Sequence, residues 1–352
     1  MRNKIPVTVL GATGSVGQRF VQLLDNHPWF QLQALTGSER TAGERYGNAC
    51  HWILPEPMPT QAQNMTILPT TPKHTLTPLV FSALPASEAR EIEPMYAQAG
   101  AAVCSNASAF RQEPDVPLLL PEVNPDHTGL IPVQRQLRGW QGCIVANPNC
   151  SSAGLTIALK ALQDAFGLKR AVVVTLQAIS GAGYPGVASL DIQDNVIPFI
   201  DGEEPKVEWE PCKMLGKFVG DAILHAELTL SAHTNRVPVL DGHLACVSVE
   251  VAADAPVWTA EQVLRDYLAP EVSRNLPSAP HPVIHLSDQP NRPQPRLDRM
   301  LGSGMTTVVG RLRPDPVFSL KLVVLSHNTI RGAAGGAIYN AELLYQQGFI
   351  ST

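Results

Sequence analysis

The sequence predicts an α/β protein of two domains, the first built on a parallel sheet and the second an α+β domain with a large mixed sheet. Three observations lead to this fold class. Short apolar strands alternate with helical segments in the first part of the chain, a glycine-rich turn follows the first strand, and strand candidates become longer further on. We expect residues 1–149, completed by a C-terminal helix at 330–352, to form the first domain and residues 150–329 the second.

Length and composition are those of a globular protein. A chain of 352 residues accommodates two domains of ordinary size, and 44% hydrophobic with 16% charged residues indicates well-formed cores. The formal net charge, 26 − 31 = −5, gives no support to a nucleic-acid partner. The N-terminal residues do not resemble a signal peptide, and no apolar run approaches the roughly 20 residues that span a bilayer. We therefore expect no membrane association.

The six cysteines are scattered and form no CxxC pair, which favours free thiols in a reducing cytoplasm over disulfides. The ten histidines show no HExxH spacing. The sequence therefore predicts a cytoplasmic protein without a metal site.

The first part of the chain reads as strands separated by helices, which indicates βαβ units. Behind the first strand, "GATGSVGQRFVQLL" repeats apolar residues at helical spacing (Val16, Phe20, Leu23 and Leu24). The strands are predicted at Val7–Leu10, Phe30–Thr36, Leu79–Pro85, Ala101–Asn106 and Gly142–Asn147.

The second part of the chain has a different pattern. The stretch "SSAGLTIALKALQDAF" places Leu155, Leu159, Leu162 and Phe166 on one face of a helix. Residues 275–300 are rich in proline and are expected to form a surface excursion, and the last residues form a helix of small side chains. Long strands are predicted at Arg170–Ser180, His243–Ala252 and Val317–Ser326.

The turn "GATGSVG" contains Gly11, Gly14 and Gly17 between the first strand and the first helix. In a dinucleotide-binding turn, the first glycine permits the sharp bend, the second lets the backbone approach a phosphate, and the third allows close helix–sheet packing. The alternative is a tight βα turn that binds nothing. The strand–turn–helix context favours a Rossmann-type dinucleotide site.

The end of the second strand, "TGSER", bears on the choice of cofactor. Ser38 and Arg40 are suited to a 2′-phosphate, whereas Glu39 is of the wrong charge. The alternative is that Arg40 is a solvated surface charge. NADP is therefore favoured over NAD.

Cys150 lies in "NPNCSSAG", where a strand gives way to a helix. A helix N-terminus lowers the pKa of a thiol, and its free N–H groups stabilise an oxyanion, so this position suits a nucleophile. The alternative is an inert core cysteine, the role we assign to the other five.

In "HTNRVPVLDGH", Arg236 and His243 flank a bend, and these residue types suit carboxylate binding and proton transfer. Either residue alone is more often structural.

Taken together, these motifs resemble the aspartate-semialdehyde dehydrogenase family, in its archaeal and fungal branch. The resemblance covers nearly the whole chain, and its segments follow the family order: "GATGSVGQRF", "SNASAFR", "PEVNP", "NPNCSSAG", "SGAGYPG", "NVIPFIDGEEPKVEWE", "HTNRVPVLDGH" and "HNTIRGAAGGAIYNAELL".

The resemblance implies a role for each matching residue. Cys150 is the expected nucleophile, His243 the acid/base and Gln177 the residue that orients substrate. Arg236 is expected to bind the substrate carboxylate and Glu203 its amino group, with Glu204 as the alternative. Arg111, Lys206 and Asn106 are expected to bind phosphate. Cofactor contacts are expected from Gly11, Thr13, Gly14, Ser15, Val16, Gly17, Ser38, Arg40, Ser82, Leu84, Pro85, Ser180, Gly181, Gly183 and Asn328.

The resemblance also implies the reaction: NADP-dependent conversion of 4-phospho-L-aspartate to L-aspartate-4-semialdehyde and phosphate through a Cys150 thioester. It further implies a role in lysine, threonine and methionine biosynthesis, a homodimer or homotetramer, and a second domain that carries catalysis and dimerisation. Malonyl-CoA reductase is the nearest alternative; an amino-group carboxylate such as Glu203 argues against it. N-acetylglutamyl-phosphate reductase fits the motifs less well, and a silent dinucleotide-binding regulator would not need the catalytic set.

Overall fold

The structure, a computed structural model, describes residues 4–350. Its first sheet has six strands in the order β3-β2-β1-β4-β5-β6, and every neighbouring pair is parallel. This order reverses direction at β1 and is that of a Rossmann-type sheet, as the sequence predicts. The strands are β1 (Ile5–Leu10), β2 (Phe30–Gly37), β3 (Ile67–Pro69), β4 (Leu79–Ser82), β5 (Ala102–Ser105) and β6 (Cys143–Ala146).

The strands of the first sheet are apolar because both faces are covered. Val7 and Val9 of β1 face one core cluster, whereas Leu10 and its neighbour Val80 belong to a second cluster on the opposite face. The helices that accompany this sheet are α1 (Ser15–Leu24), α2 (Tyr46–Ala49), α3 (Thr60–Gln63), α4 (Pro72–Thr75), α5 (Ala86–Gln98) and α6 (Leu130–Arg138).

The second sheet is mixed, as the sequence predicts, with the order β10-β7-β11-β14-β13-β12. Its two outer pairs, β10–β7 and β13–β12, are parallel, and the three inner pairs are antiparallel. A separate hairpin joins β8 to β9. The strands are β7 (Leu168–Gln177), β8 (Lys217–Val219), β9 (Ala222–Leu224), β10 (Thr229–Arg236), β11 (His243–Val251), β12 (Ile284–Ser287), β13 (Thr307–Pro314) and β14 (Leu320–Ser326).

Helix α7 packs against the second sheet and is buried along almost its whole length. The four apolar residues that the sequence places on one face, Leu155, Leu159, Leu162 and Phe166, are all buried in the core cluster that contains Val80. The remaining helices are α7 (Cys150–Phe166), α8 (Ser189–Ile192), α9 (Glu203–Met214), α10 (Val257–Arg265), α11 (Glu271–Arg274), α12 (Pro295–Asp298) and α13 (Gly335–Gln346).

The expectation of a surface excursion at 275–300 is wrong for part of this segment. Residues 284–287 form β12, which pairs in parallel with β13 and closes one edge of the second sheet. The side chains of Ile284 and Leu286 are buried. The prolines on either side of this four-residue strand conceal its alternating pattern in the sequence.

Helix α13 returns to the first sheet. Its residues Leu343 and Leu344 share a core cluster with Val7 and Phe81. A π-type turn at Ile330–Ala334 precedes the helix and packs against α7. In residues 4–350, none of the helices combines the length and apolar character that a membrane span requires.

Candidate active site

Cys150 is the first residue of α7. Strand β6 ends at Ala146, a short Asn-Pro-Asn turn follows, and Asn149 caps the helix. The Oδ1 atom of Asn149 accepts the N–H groups of Ser151 at 2.8 Å and of Ser152 at 3.3 Å. This cap fixes the start of α7, so the thiol projects from a defined helix N-terminus.

His243, the first residue of β11, lies beside the thiol. Its Nε2 atom is 3.3 Å from the Sγ of Cys150, and its Nδ1 atom accepts the N–H of Ala178 at 3.0 Å. Since Nδ1 is an acceptor, the neutral ring carries its proton on Nε2. Burial, and then the positive charge of Arg236, lower the pKa of His243 to about 3, so the ring is neutral at physiological pH.

The surroundings of Cys150 favour the protonated thiol in the absence of substrate. Burial raises its pKa to about 12, and the negative charge of Glu203 acts in the same direction. The positive charges of Arg111 and Arg236 oppose this effect. Burial is therefore the main reason that the thiol stays protonated, and the nearby charges shift its pKa in both directions.

Glu203 begins α9 and is surrounded by predicted site residues. Its Oε1 atom accepts hydrogen bonds from Asn149 Nδ2 at 2.9 Å and from Gln177 Nε2 at 3.2 Å. Its Oε2 atom lies 3.4 Å from the Nζ of Lys206. Glu204 points elsewhere and accepts the N–H of Thr234 in β10 at 3.1 Å. Of the two glutamates, Glu203 is the one that joins the site.

Arg236 ends β10 in register with Gln177, the last residue of the parallel strand β7. Its Nη1 atom donates to the Ala178 carbonyl at 2.8 Å. Strand β7 lies between the strands of Arg236 and His243, so the two residues meet across β7 and not across a simple bend. A Cβ atom added to Gly181 would lie 2.8 Å from Arg236 Nη1 and 3.0 Å from His243 Nε2. A side chain at this position would therefore displace the guanidinium or the imidazole.

Arg111 and Asn106 lie in the loop after β5. Arg111 Nη1 donates to Glu210 of α9 at 2.9 Å, and Nη2 donates to the carbonyl of Asn106 at 2.8 Å. The Oδ1 of Asn106 accepts from Asn147 at 3.0 Å. The Nε of Arg111 is buried and has no hydrogen-bond partner in residues 4–350. An unpaired donor of this kind is suited to an anion.

The glycine turn has the close contacts that its sequence predicts. A Cβ on Gly17 would lie 2.2 Å from the Gly11 carbonyl oxygen, and one on Gly11 (φ +69°) would lie 2.9 Å from the carbonyl oxygen of Ala83 and 3.5 Å from Leu84. Gly14 occupies the N-cap of α1, where no side chain caps the helix. The N-terminal N–H groups of α1 are therefore open to a phosphate.

A cleft of about 450 Å³ lies next to the start of α1. Ser15 lines it on one side and Ser180 on the other. Near this cleft the buried amide of Asn328 accepts the N–H of Gly242 and donates to Ser180 Oγ, both at 2.8 Å. Further lining residues are Arg19, Leu240, Asp241, Arg299, His327 and Thr329.

Most of the other predicted cofactor residues follow strands of the first sheet, whereas Gly183 follows β7 of the second sheet. Ser82 ends β4, and Pro85 precedes α5. Thr13 lies in the glycine turn, and its carbonyl accepts the side-chain amide of Gln18 at 3.0 Å. Ser38 and Arg40 follow β2 and are exposed to solvent. Val16 lies in the first turn of α1, and Gly183 follows the Ser180 turn.

Three residues of this site lie in the quoted motifs but received no predicted role. The role of Asn149 does have a sequence signal, because an asparagine directly before an apolar helical pattern is a common N-cap. Glu210 is hidden because Pro205 and Pro211 obscure helix α9. The residues next to Gly332 do not indicate why a glycine is needed there. A Cβ at this position would lie 2.8 Å from the Cα and Cβ of Cys150. These atoms come together only in the folded chain.

The family described as "Semialdehyde dehydrogenase, NAD binding domain" matches residues 6–131, and "Semialdehyde dehydrogenase, dimerisation domain" matches residues 159–331. The aspartate-semialdehyde dehydrogenase of Archaeoglobus fulgidus is 52% identical, over 98% of this chain and 99% of the relative. That of Cryptococcus neoformans is 47% identical, over 99% of both.

A crystal structure titled as aspartate semialdehyde dehydrogenase with NADP from Candida albicans superposes with a TM-score of 0.91. It is 43% identical and covers 99% of this chain and 100% of that chain. Fold and site together define a two-domain semialdehyde dehydrogenase, an oxidoreductase. More particularly, the chain belongs to the aspartate-semialdehyde dehydrogenase family, which confirms the family predicted from the motifs. The comparisons do not favour the malonyl-CoA reductase alternative.

Proposed function

We propose that this chain catalyses the NADP-dependent interconversion of 4-phospho-L-aspartate and L-aspartate-4-semialdehyde through a thioester on Cys150. One observation carries the proposal: the Sγ of Cys150 lies 3.3 Å from His243 Nε2 at a capped helix N-terminus, among residues of both charges. That arrangement suits a nucleophile that acts on a charged acyl compound.

The glycine turn fits a dinucleotide, because Gly11, Gly14 and Gly17 bring the backbone close and leave the first N–H groups of α1 open. The turn is proposed to hold the pyrophosphate, with Ser38 and Arg40 at the 2′-phosphate. The remaining contacts are proposed at Thr13, Ser15, Val16, Ser82, Leu84, Pro85, Ser180, Gly181, Gly183 and Asn328. The description of the Candida albicans relative as a complex with NADP supports this choice of cofactor.

The charged residues suit the three ionic groups of the substrate. Arg236 is proposed to bind the α-carboxylate, and Glu203 the ammonium group, with Gln177 beside it. Arg111, whose Nε is buried and unpaired in residues 4–350, is proposed to bind the phosphate together with Lys206 and Asn106.

In the reductive direction the Cys150 thiolate attacks the acyl carbon. A C–S bond forms, the C–O bond to phosphate breaks, and phosphate leaves towards Arg111. NADPH, when bound, supplies the hydride that reduces the thioester. The Nε2–H group of His243 is proposed to donate a hydrogen bond to the oxyanion that forms next to the sulfur, and the proton stays on the neutral ring. Proton transfer by His243, the predicted acid/base role, stays a proposal. Cleavage of the C–S bond then releases the aldehyde. The phosphorylated substrate, NADPH and one proton become the semialdehyde, NADP⁺ and phosphate.

The substrate also activates the nucleophile. The negative charge of Glu203 raises the pKa of Cys150 in the free protein. When the ammonium group of the substrate pairs with Glu203, that charge is neutralised. The pKa of Cys150 then falls, and a larger fraction of the thiol is ionised. Binding of the amino group thus removes one of the two main causes that keep the thiol protonated; burial, the larger one, remains.

We propose that a second copy of the chain covers the open face of the second sheet. Val174, Cys246 and Val323 are aligned side by side across β7, β11 and β14, on the face opposite α7, and none is buried. The matched family description, "dimerisation domain", supports a homodimer, and pairing of dimers would give a homotetramer. Val174→Glu is expected to yield monomers in light scattering, whereas an unchanged mass would contradict this interface.

The remaining predictions stay proposals. They are the domain boundaries at 149/150 and 329/330, a location in the cytoplasm, and a role in lysine, threonine and methionine biosynthesis. The biosynthetic role follows from the names of the relatives.

The direct test follows absorbance of the reduced cofactor with L-aspartate-4-semialdehyde. We expect reduction of NADP that depends on phosphate and that is lost in Cys150→Ala. Reduction without phosphate, or no reduction with either NADP or NAD, contradicts the proposed reaction. Malonyl-CoA with NADPH serves as the substrate control and is expected to give no oxidation.

A further inference from the structure

We infer that Glu210 is a positioning residue. It holds Arg111, the proposed phosphate-binding residue, and the start of α7, which carries Cys150, in a fixed position relative to each other. This inference rests on the proposed function. Glu210 lies in the middle of α9 and is the last residue of the motif "NVIPFIDGEEPKVEWE", but the motif itself assigns it no role.

One carboxylate makes both connections. Glu210 Oε1 accepts from Nη1 of Arg111 at 2.9 Å, and Oε2 accepts the backbone N–H of Asn149 at 2.7 Å. The side chain of Glu210 is completely buried, so solvent does not compete for either oxygen. Hydrogen bonds between charged groups of this kind are short and directional.

Each connection bears on a reacting group. Asn149 caps α7 and directly precedes Cys150, so the bond to its N–H fixes the turn that delivers the thiol. Arg111 is held at Nη1 by Glu210 and at Nη2 by the Asn106 carbonyl, which leaves its Nε free for an anion. Glu210 therefore sets the position of the phosphate site relative to the sulfur.

Helix α9 supports this arrangement with a row of inward-facing charges. Glu203, Lys206 and Glu210 are spaced at i, i+3 and i+7, which places them on one face of the helix. Lys213, one turn further, donates to the backbone carbonyls of Arg111, Glu113 and Val116 at 2.8–2.9 Å. The loop that carries Arg111 is thus held at its backbone and at its guanidinium.

The position of Glu210 matters because an acyl phosphate must reach the sulfur and the arginine at once. A displacement of about 1 Å between reacting groups costs on the order of 10²-fold in rate. Without the carboxylate, the buried guanidinium loses its counter-charge, and it is expected to move towards other acceptors.

The test compares Glu210→Gln with Glu208→Gln in the full-length protein. Glu208 is on the same helix and accepts one backbone N–H, that of Ala232 at 3.0 Å, so it controls for loss of a helix carboxylate. For Glu210→Gln we expect kcat to fall about 10²-fold and the KM for inorganic phosphate to rise about tenfold or more, with the KM for NADP unchanged. Glu208→Gln should resemble the unmodified protein in all three values.

A second measurement does not depend on turnover. Inorganic phosphate should slow the alkylation of Cys150 by iodoacetamide, and Glu210→Gln should need about tenfold more phosphate for the same protection. If Glu210→Gln does not fold, Glu210→Asp keeps the charge but is too short to reach both donors, and the same shifts are expected.

The possible outcomes separate the two proposals. An unchanged phosphate requirement in both measurements, or equal changes in the KM values for phosphate and NADP, would overturn the positioning role. If the unmodified protein shows no phosphate-dependent turnover, the proposed function has failed, and the alkylation measurement still decides whether Glu210 sets the anion site.

Discussion

His243 meets Cys150 as a hydrogen-bond donor. The Nε2 atom lies 3.3 Å from the sulfur, while the N–H of Ala178 occupies the lone pair of Nδ1 at 3.0 Å. A neutral ring in this tautomer has no lone pair at Nε2 with which to take the thiol proton. The histidine is therefore placed to stabilise a thiolate or an oxyanion, whereas burial and the surrounding charges set the ionisation of the thiol.

This arrangement predicts how Cys150 reacts with iodoacetamide as a function of pH. Its pKa is raised to about 12 and that of His243 is lowered to about 3, so neither group titrates between pH 6 and 9. The alkylation rate of the free protein should increase about tenfold per pH unit over this range, since the thiolate is the reactive form. Peptide mapping separates Cys150 from the other cysteines. A plateau with a midpoint near pH 6.5 would show a thiolate–imidazolium pair and contradict the assignment.

Glu203→Gln should change reactivity and turnover in opposite directions. Removing the negative charge lowers the pKa of Cys150, so alkylation of the free protein at pH 7.5 becomes faster. Turnover should fall on the order of 10²-fold, because the ammonium group loses its partner. Glu204→Gln is the matched control: its carboxylate binds the Thr234 N–H, and both rates should stay near their original values. Slower alkylation in Glu203→Gln would contradict the effect of Glu203 on the thiol.

Gly332→Ala should damage the site more than it damages the fold. The added Cβ would lie 2.8 Å from the Cα and Cβ of Cys150, and these backbone-linked atoms have little room to move. We expect kcat to fall about tenfold or more, with a loss of stability of about 1–3 kcal/mol in denaturant unfolding. In Gly129→Ala the new Cβ meets the ring of Phe218 instead, so stability should fall while kcat is kept. Full activity in Gly332→Ala would mean that the π-type turn at Ile330–Ala334 shifts to make room for the added methyl group, which would contradict this prediction.

Arg40→Ala tests the choice between NADP and NAD. If the exposed guanidinium binds the 2′-phosphate, its loss removes a charge-assisted contact of about 1.5–3 kcal/mol, which corresponds to roughly 10–100-fold in the ratio of kcat/KM for NADP to that for NAD. Glu39→Gln should raise the same ratio, because a like charge next to the phosphate is removed. A ratio that is the same in Arg40→Ala as in the unmodified protein would identify Arg40 as a solvated surface residue.

Features encoded by short stretches of sequence could be predicted. The glycine turn follows from its place between an apolar strand and a helical pattern, and the position of Cys150 follows from the proline and asparagine that separate β6 from α7. The mixed second sheet follows from its long strands. In each case the pattern and the local backbone requirement point to the same structure.

Features that depend on distant contacts could not be predicted. Helix α9 contains Pro205 in its first turn and Pro211 in its interior, so its sequence does not look helical, although three of its charges belong to the site. Gly332 is required by the backbone of Cys150, and only the folded chain brings the two together. The bond from the Ala178 N–H to His243, which selects the tautomer, likewise has no signature in the sequence.

The proposed thioester on Cys150 is tested most directly by a search for this covalent intermediate. The protein is mixed with 4-phospho-L-aspartate in the absence of NADPH, quenched in acid and digested, and its peptides are analysed by mass spectrometry. We predict an aspartyl adduct on the peptide that contains Cys150, formed together with phosphate release of about one equivalent per chain. Phosphate release without an adduct, or an adduct on a different residue, would contradict the thioester mechanism.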